Sequence, residues 1–156
     1  MAATEQQLLA HENAVRKHVR LVRKNGRLLI KEFQERLKIH DASKLQEPEA
    51  SIYAEHGDKL GKTEYGTPEY EKLLELVKPA IEHHWAVNRH HIPHWPHGID
   101  DFDLVDLMEL LSDWVASTKK GLNGNPHKSV EINVKKYNIS PQLASILTNT
   151  IERYLS

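Results

Sequence analysis

Lys38-Ile39-His40-Asp41-Ala42-Ser43-Lys44 is the stretch on which the reading of this chain turns. An imidazole next to a carboxylate offers one metal ion two ligands of different character. The lysine three residues after the aspartate adds a positive charge within reach of an anionic substrate. Alone, a His-Asp pair is weak evidence, because it arises by chance. Its weight comes from its flanks, which carry helical periodicity and further His and Asp residues. Upstream, residues 4 to about 38 read as one long helix. Thr4 caps it, and Gln7 three residues on completes a capping box. Val15, Val22, Leu29 and Phe33 recur at helical spacing, with His11 and His18 on the same stripe. Gly26 marks a bend.

Downstream, a second helix is expected just after His40-Asp41, through Leu45, and another stretch follows Pro48 with Ile52 and Tyr53. Residues 57–66, with Gly57, Gly61 and Gly66, read as a glycine-punctuated loop. Thr67-Pro68-Glu69 is a helix start: cap, first-turn proline, acid in the first turn. That helix carries Leu73, Leu74, Val77 and Ile81, with Pro79 kinking or dividing it. Continuing its stripe reaches His84, Asn88 and His91, with His83 and His90 on the adjacent stripe, and Pro93 ends the element. Asp100 or Asp101 is expected to cap the next helix, which runs to about Lys120 and stops near Gly121. Leu104, Leu107, Met108, Leu111, Trp114 and Val115 make one apolar face of it. Its other side mixes Phe102, Val105 and Ala116 with Asp106, Glu109, Asp113 and Ser117, so the helix is central and a carboxylate on it needs a partner. Asp113 is the candidate for that position. Two short helices, 129–137 and 141–154, close the core, the second started by Ser140-Pro141. No stretch alternates with period two for long. The expectation is an all-α bundle of about six helices, a single domain over residues 1–156.

Composition narrows the chemistry. There are no cysteines, which excludes disulfides and thiolate metal sites and leaves His and carboxylate as ligands. A net charge of −1 supplies no basic field for extended nucleic acid. No apolar run approaches the roughly 18–20 residues of a membrane span. The first residues lack a basic segment followed by an apolar one, so a cytoplasmic address without a signal peptide is expected. Histidine is in excess: eleven in 156 residues, seven of them between His56 and His97.

In order along the chain, the candidates are His18, His40-Asp41, the histidines of Glu82-His83-His84 and Arg89-His90-His91, and Asp113. This order resembles the HD-domain superfamily of metal-dependent phosphohydrolases, over roughly residues 10–120. His18 with Val22, His40-Asp41-Ala42-Ser43-Lys44, and Asp113 with Ala116-Ser117 carry the resemblance. Ser43 stands where many members have glycine, and the paired histidines lie unusually close together. In these respects the chain looks most like a small phage and bacterial branch of the superfamily.

The resemblance implies an HD-like helical bundle in which His18, His40, Asp41 and Asp113 bind one metal. In binuclear members further histidines hold a second ion with the central Asp bridging, which by position points to His84 and His91, with His83 and His90 as alternates. Lys44, Asn88, Arg89 and His90 would then face a small anionic substrate, a phosphate ester such as a nucleotide. Imidazole and carboxylate suit one or two ions of Mn, Fe, Co, Ni or Zn better than Mg alone. Such an ion supplies hydroxide near neutral pH. Asp41 and Lys44 are the catalytic candidates, with Glu47, or Glu49, as proton donor to the leaving oxygen. Oligomeric state stays open, with a homodimer as one form, since small helical enzymes of this type are often dimers. Two other readings stand beside this one. The first is a di-iron oxygenase resembling myo-inositol oxygenase. The second is a non-catalytic helical module, metal-stabilised or not, that binds a partner through the Trp95 region.

Overall fold

The computed structural model describes residues 2–64, 66–118 and 124–155. These are all-α, with no strand among them: α1 (Glu5–Ile39), α2 (Glu49–Lys62), α3 (Pro68–Val87), α4 (Leu104–Thr118), α5 (Pro126–Lys136) and α6 (Pro141–Thr150). They divide into two units, Met1–Lys38 and Ile39–Ser156.

The first unit is α1. It starts on a capping box: Gln7 N donates to Thr4 Oγ1 (3.3 Å) while Thr4 N donates to Gln7 Oε1 (2.8 Å). The helix continues through Gly26 without interruption.

The second unit opens on the His-Asp stretch. The helix expected there is only a 3-10 turn, Ala42–Leu45. Asp41 enters it at φ 58°, in the left-handed region that aspartate tolerates better than most residues. The 57–66 loop is corrected too, since α2 runs through Gly57 and Gly61 to Lys62. A glycine lowers helix stability by about 1 kcal/mol but does not end a helix. Here the Asp58–Lys62 pair (2.7 Å) and packing of α2 on α3 work against that cost.

α3 begins as its sequence predicts, with Thr67 Oγ1 accepting from Tyr70 N (3.2 Å), and passes Pro79 as one helix. It ends at Val87, not at Pro93. Asn88 stops it by leaving helical geometry, while its Nδ2 donates to the His84 carbonyl (2.8 Å). His90 and His91 therefore lie on a turn beyond the helix and not on its stripes.

α4 is capped by Asp103, not by Asp100 or Asp101. Val105 N (2.8 Å) and Asp106 N (2.9 Å) both donate to Asp103 Oδ1, whereas Asp101 accepts from His97 N. The expected stop near Gly121 lies outside the described residues. The buried side of α4 is Val105, Asp106, Glu109, Leu110, Leu111 and Val115, while Leu104 and Met108 of the expected apolar face are exposed. Leu111 and Val115 pack with Val130 of α5, Leu147 of α6 and Ile151. Leu110 packs with Ile92 and Ile139 in a neighbouring cluster. Ser140 caps α6 by accepting from Leu143 N. Among the described residues no helix is long and apolar enough to cross a membrane.

Candidate metal centre

Three segments of the second unit converge: the turn at Asp41, the end of α3 at His84, and the turn at His90-His91. One ligand atom from each of Asp41, His84, His90 and His91 lies within 4.8 Å of the others. The atoms concerned are identified by what they lack. Asp41 Oδ1 and the Nε2 atoms of His84, His90 and His91 are buried and have no hydrogen-bond partner. A buried polar atom left bare is costly, and here four such atoms face one another. His84 Nε2 is 3.1 Å and His90 Nε2 3.7 Å from Asp41 Oδ1.

For His84 the outer nitrogen explains why the inner one is bare. His84 Nδ1 is 2.8 Å from Glu49 Oε2, and His83 Nδ1 is 2.7 Å from Glu49 Oε1. A carboxylate accepts, so each of these Nδ1 atoms carries the proton, and a neutral ring then has none on Nε2. Glu49 is fully buried on the first turn of α2. Burial alone would raise its carboxyl, but bonds from His83 and Ser43, with His84 beside it, bring it below its ordinary value. Ser43 places its Oγ beside His84 Nδ1 (3.1 Å) and accepts from Asn88 Nδ2 (2.8 Å). Asp41 is divided. Oδ1 faces the group and Oδ2 accepts from Lys44 Nζ at 2.7 Å. Burial pushes its carboxyl up, but the bond and positive charge of Lys44 hold it well below the usual carboxylate range. This donor set, three imidazole nitrogens and a carboxylate oxygen, fits a metal ion.

A second group, His40, His90 and Glu109, is also compact. It needs no ion, because Glu109 Oε1 accepts from His40 Nδ1 (2.8 Å) and lies 3.1 Å from His90 Nδ1. His40 stands beside the four-residue group, its Nε2 3.7 Å from Asp41 Oδ2 and 3.9 Å from Asp113 Oδ1.

Of the expected ligands, Asp41, His84 and His91 are brought together, and His40 and Asp113 adjoin them. His90, expected to face substrate or to stand in as the alternate ligand, is inside the group. His18 stands on α1 in the first unit, whereas every member of both groups lies in the second. The expected anion contacts are engaged otherwise. Arg89 donates to Asp106 through Nε (2.7 Å) and Nη2 (2.9 Å) and lies 5.0 Å from the Trp95 ring, whose Nε1 returns a bond to the Arg89 carbonyl. Asn88 caps α3. Glu47 is exposed and accepts from Ser51, outside both groups. Glu109 was the missed residue. Its signal was a carboxylate among Leu107, Met108, Leu110 and Leu111, on the side of α4 that also carries Val105.

Burial, then the nearby His90 and His84, lower His91 to about 3. The unfolded ring takes its proton near 6.5, so between these values the unfolded state binds more protons. The His91 contribution to stability is thus complete above about pH 6.5 and is lost as pH falls toward 3, by at most about 1.4 kcal/mol per pH unit. His40 runs the other way. Its bond to Glu109 raises it despite burial, so its contribution is present below 6.5 and lost as pH rises through its folded value. Metal-free His91→Gln should therefore lose less Tm than the parent protein between pH 7 and pH 5. Thermal melts at both pH values check this, and equal losses would contradict the buried neutral ring.

A family model described as a family of unknown function (DUF5662) matches residues 7–153. No curated protein and no solved structure matches the chain.

Proposed function

We propose that this chain, which belongs to the DUF5662 family, is a metal-dependent phosphohydrolase of the HD type acting on a small phosphate ester, a nucleotide being the leading class. The observation that carries this is the set of four buried, unpartnered ligand atoms on Asp41, His84, His90 and His91. A bound Mn, Fe, Co, Ni or Zn ion supplies Lewis-acid polarisation of an oxygen and lowers the pKa of water toward neutrality. Three neutral imidazoles and one carboxylate leave a divalent charge only half neutralised, which favours an anionic substrate oxygen. The residues divide the work. Asp41 Oδ1 and the three Nε2 atoms bind. Glu49 fixes the His84 tautomer from behind, the arrangement that makes an imidazole a better-oriented and more basic ligand. Lys44 neutralises the other Asp41 oxygen and is partly exposed, so its remaining donors can meet substrate charge. Arg89 and Asn88 shape the turn that delivers His90 and His91.

The test is phosphate release from a panel of nucleotides and simple phosphate esters, with protein loaded in turn with Mn, Co, Ni and Zn. Release from at least one ester, abolished by His84→Ala, is the expected result. Metal bound at full occupancy with no release from any ester would sink the proposal. So would turnover that depends on two irons and on oxygen, which belongs to the oxygenase reading.

A further inference from the structure

We infer that Glu109 is a positioning residue that orients two imidazoles at once, His90 within the four-atom group and His40 beside it. This rests on the reading that the group holds a metal ion. Glu109 is on the interior side of α4 with its side chain 5% exposed. The same oxygen, Oε1, lies 2.8 Å from His40 Nδ1 and 3.1 Å from His90 Nδ1. A carboxylate has no proton to give, so His40 is a donor at Nδ1, the 3.1 Å approach assigns the His90 proton to Nδ1 as well, and each ring when neutral then presents a lone pair at Nε2. The ring centroids are 4.4 Å apart, so neither ring turns without disturbing the other.

Both lone pairs are aimed by this clamp. His90 Nε2 is buried without a hydrogen-bond partner and points toward Asp41 Oδ1. His40 Nε2 points between Asp41 Oδ2 and Asp113 Oδ1. Asp113 is one helical turn beyond Glu109, and Asp106 is three residues before it. One side of α4 therefore sets three things. Asp106 holds the guanidinium of Arg89, the residue before His90. Glu109 holds the His90 and His40 rings. Asp113 closes the outer edge next to His40. Carboxylates placed behind metal-binding histidines typically change metal affinity 10–100-fold when removed. A clamp shared by two rings should reach the upper part of that range.

The experiment has two readouts. Long-range proton–nitrogen NMR of the imidazoles in metal-free protein at pH 7.5 reports which nitrogen carries the proton. Competition with a chromophoric chelator reports Co(II) affinity, and the visible Co(II) spectrum reports ligand geometry. The wild-type protein should show His40 and His90 protonated at Nδ1. Glu109→Gln, which keeps the volume and one acceptor oxygen, should give mixed tautomers on both rings, about 10-fold weaker Co(II) binding and an altered Co(II) spectrum. Glu109→Ala should weaken binding about 100-fold, and Glu109→Asp should recover part of it. Unchanged tautomers and affinity in Glu109→Gln would overturn the inference. Wild-type protein with either ring protonated at Nε2 and not at Nδ1 would overturn it with no variant required, even if the variants fail to fold. Wild-type protein that shows the expected tautomers but binds no Co(II) would instead remove the metal reading on which the inference rests.

Discussion

Asp41→Asn should lose about 100-fold or more in metal affinity while remaining folded. Asparagine fills the same space and accepts the left-handed backbone at φ 58°, where alanine would be strained. What it lacks is the charge. In the parent protein the Asp41 carboxylate is ionised far below neutral pH, held so by the bond and charge of Lys44, so its anionic Oδ1 is available to an ion at any working pH. An amide oxygen is a much weaker ligand, and three neutral imidazoles then hold the ion alone. The measurement is the Tm shift on adding metal. A ligand at 100 times its Kd stabilises the folded state by about 2.7 kcal/mol. That shift should appear in the parent protein and nearly vanish in Asp41→Asn, with unchanged helical circular dichroism. An equal shift in both proteins would place the ion elsewhere.

The second large effect concerns stability. Arg89→Ala should destabilise the fold by about 2–4 kcal/mol. Asp106 is completely buried, and the Arg89 guanidinium spans both of its carboxylate oxygens. Removing one partner of a buried pair costs about 3–5 kcal/mol. The lower figure applies here because Arg89 itself is 45% exposed and partly screened. Arg89→Lys keeps the charge but not the fork, and should lie between. Chemical denaturation at neutral pH checks the series. If Arg89 were a substrate contact, the variant would unfold at the parental midpoint and alter only substrate affinity.

Arg89 also shows where sequence reading reached its limit. As an arginine next to paired histidines it reads as an anion contact, and nothing local points to Asp106, seventeen residues on. The same applies to His90. The stripes drawn from α3 predict that His84 and His91 share one direction and that His90 faces another, which is correct for a helix that continues to Pro93. The helix ends at Val87, and the turn that follows brings His90 and His91 to the same point. Asn88 makes that ending, with its amide held by the His84 carbonyl and by Ser43. Since Ser43 is remote in sequence, no window along α3 contains the information.

Elsewhere local signals were sufficient. Thr4 with Gln7, Thr67 with Pro68 and Ser140 with Pro141 each start a helix as their side chains predict, because a cap bonds to backbone only a few residues away. The period of the apolar residues excludes sheet for the same reason, since it is a property of consecutive residues. Thus the all-helical class, the helix starts and the donor types open to a metal in a chain without cysteine were determined by the sequence itself. Which histidines meet Asp41, and that Glu49 and Glu109 stand behind their rings, were decided by the tertiary structure. Those partners range from 19 residues apart, for His90 and Glu109, to 69, for His40 and Glu109, and only packing of α2, the turns and α4 around the end of α3 sets a distance between them.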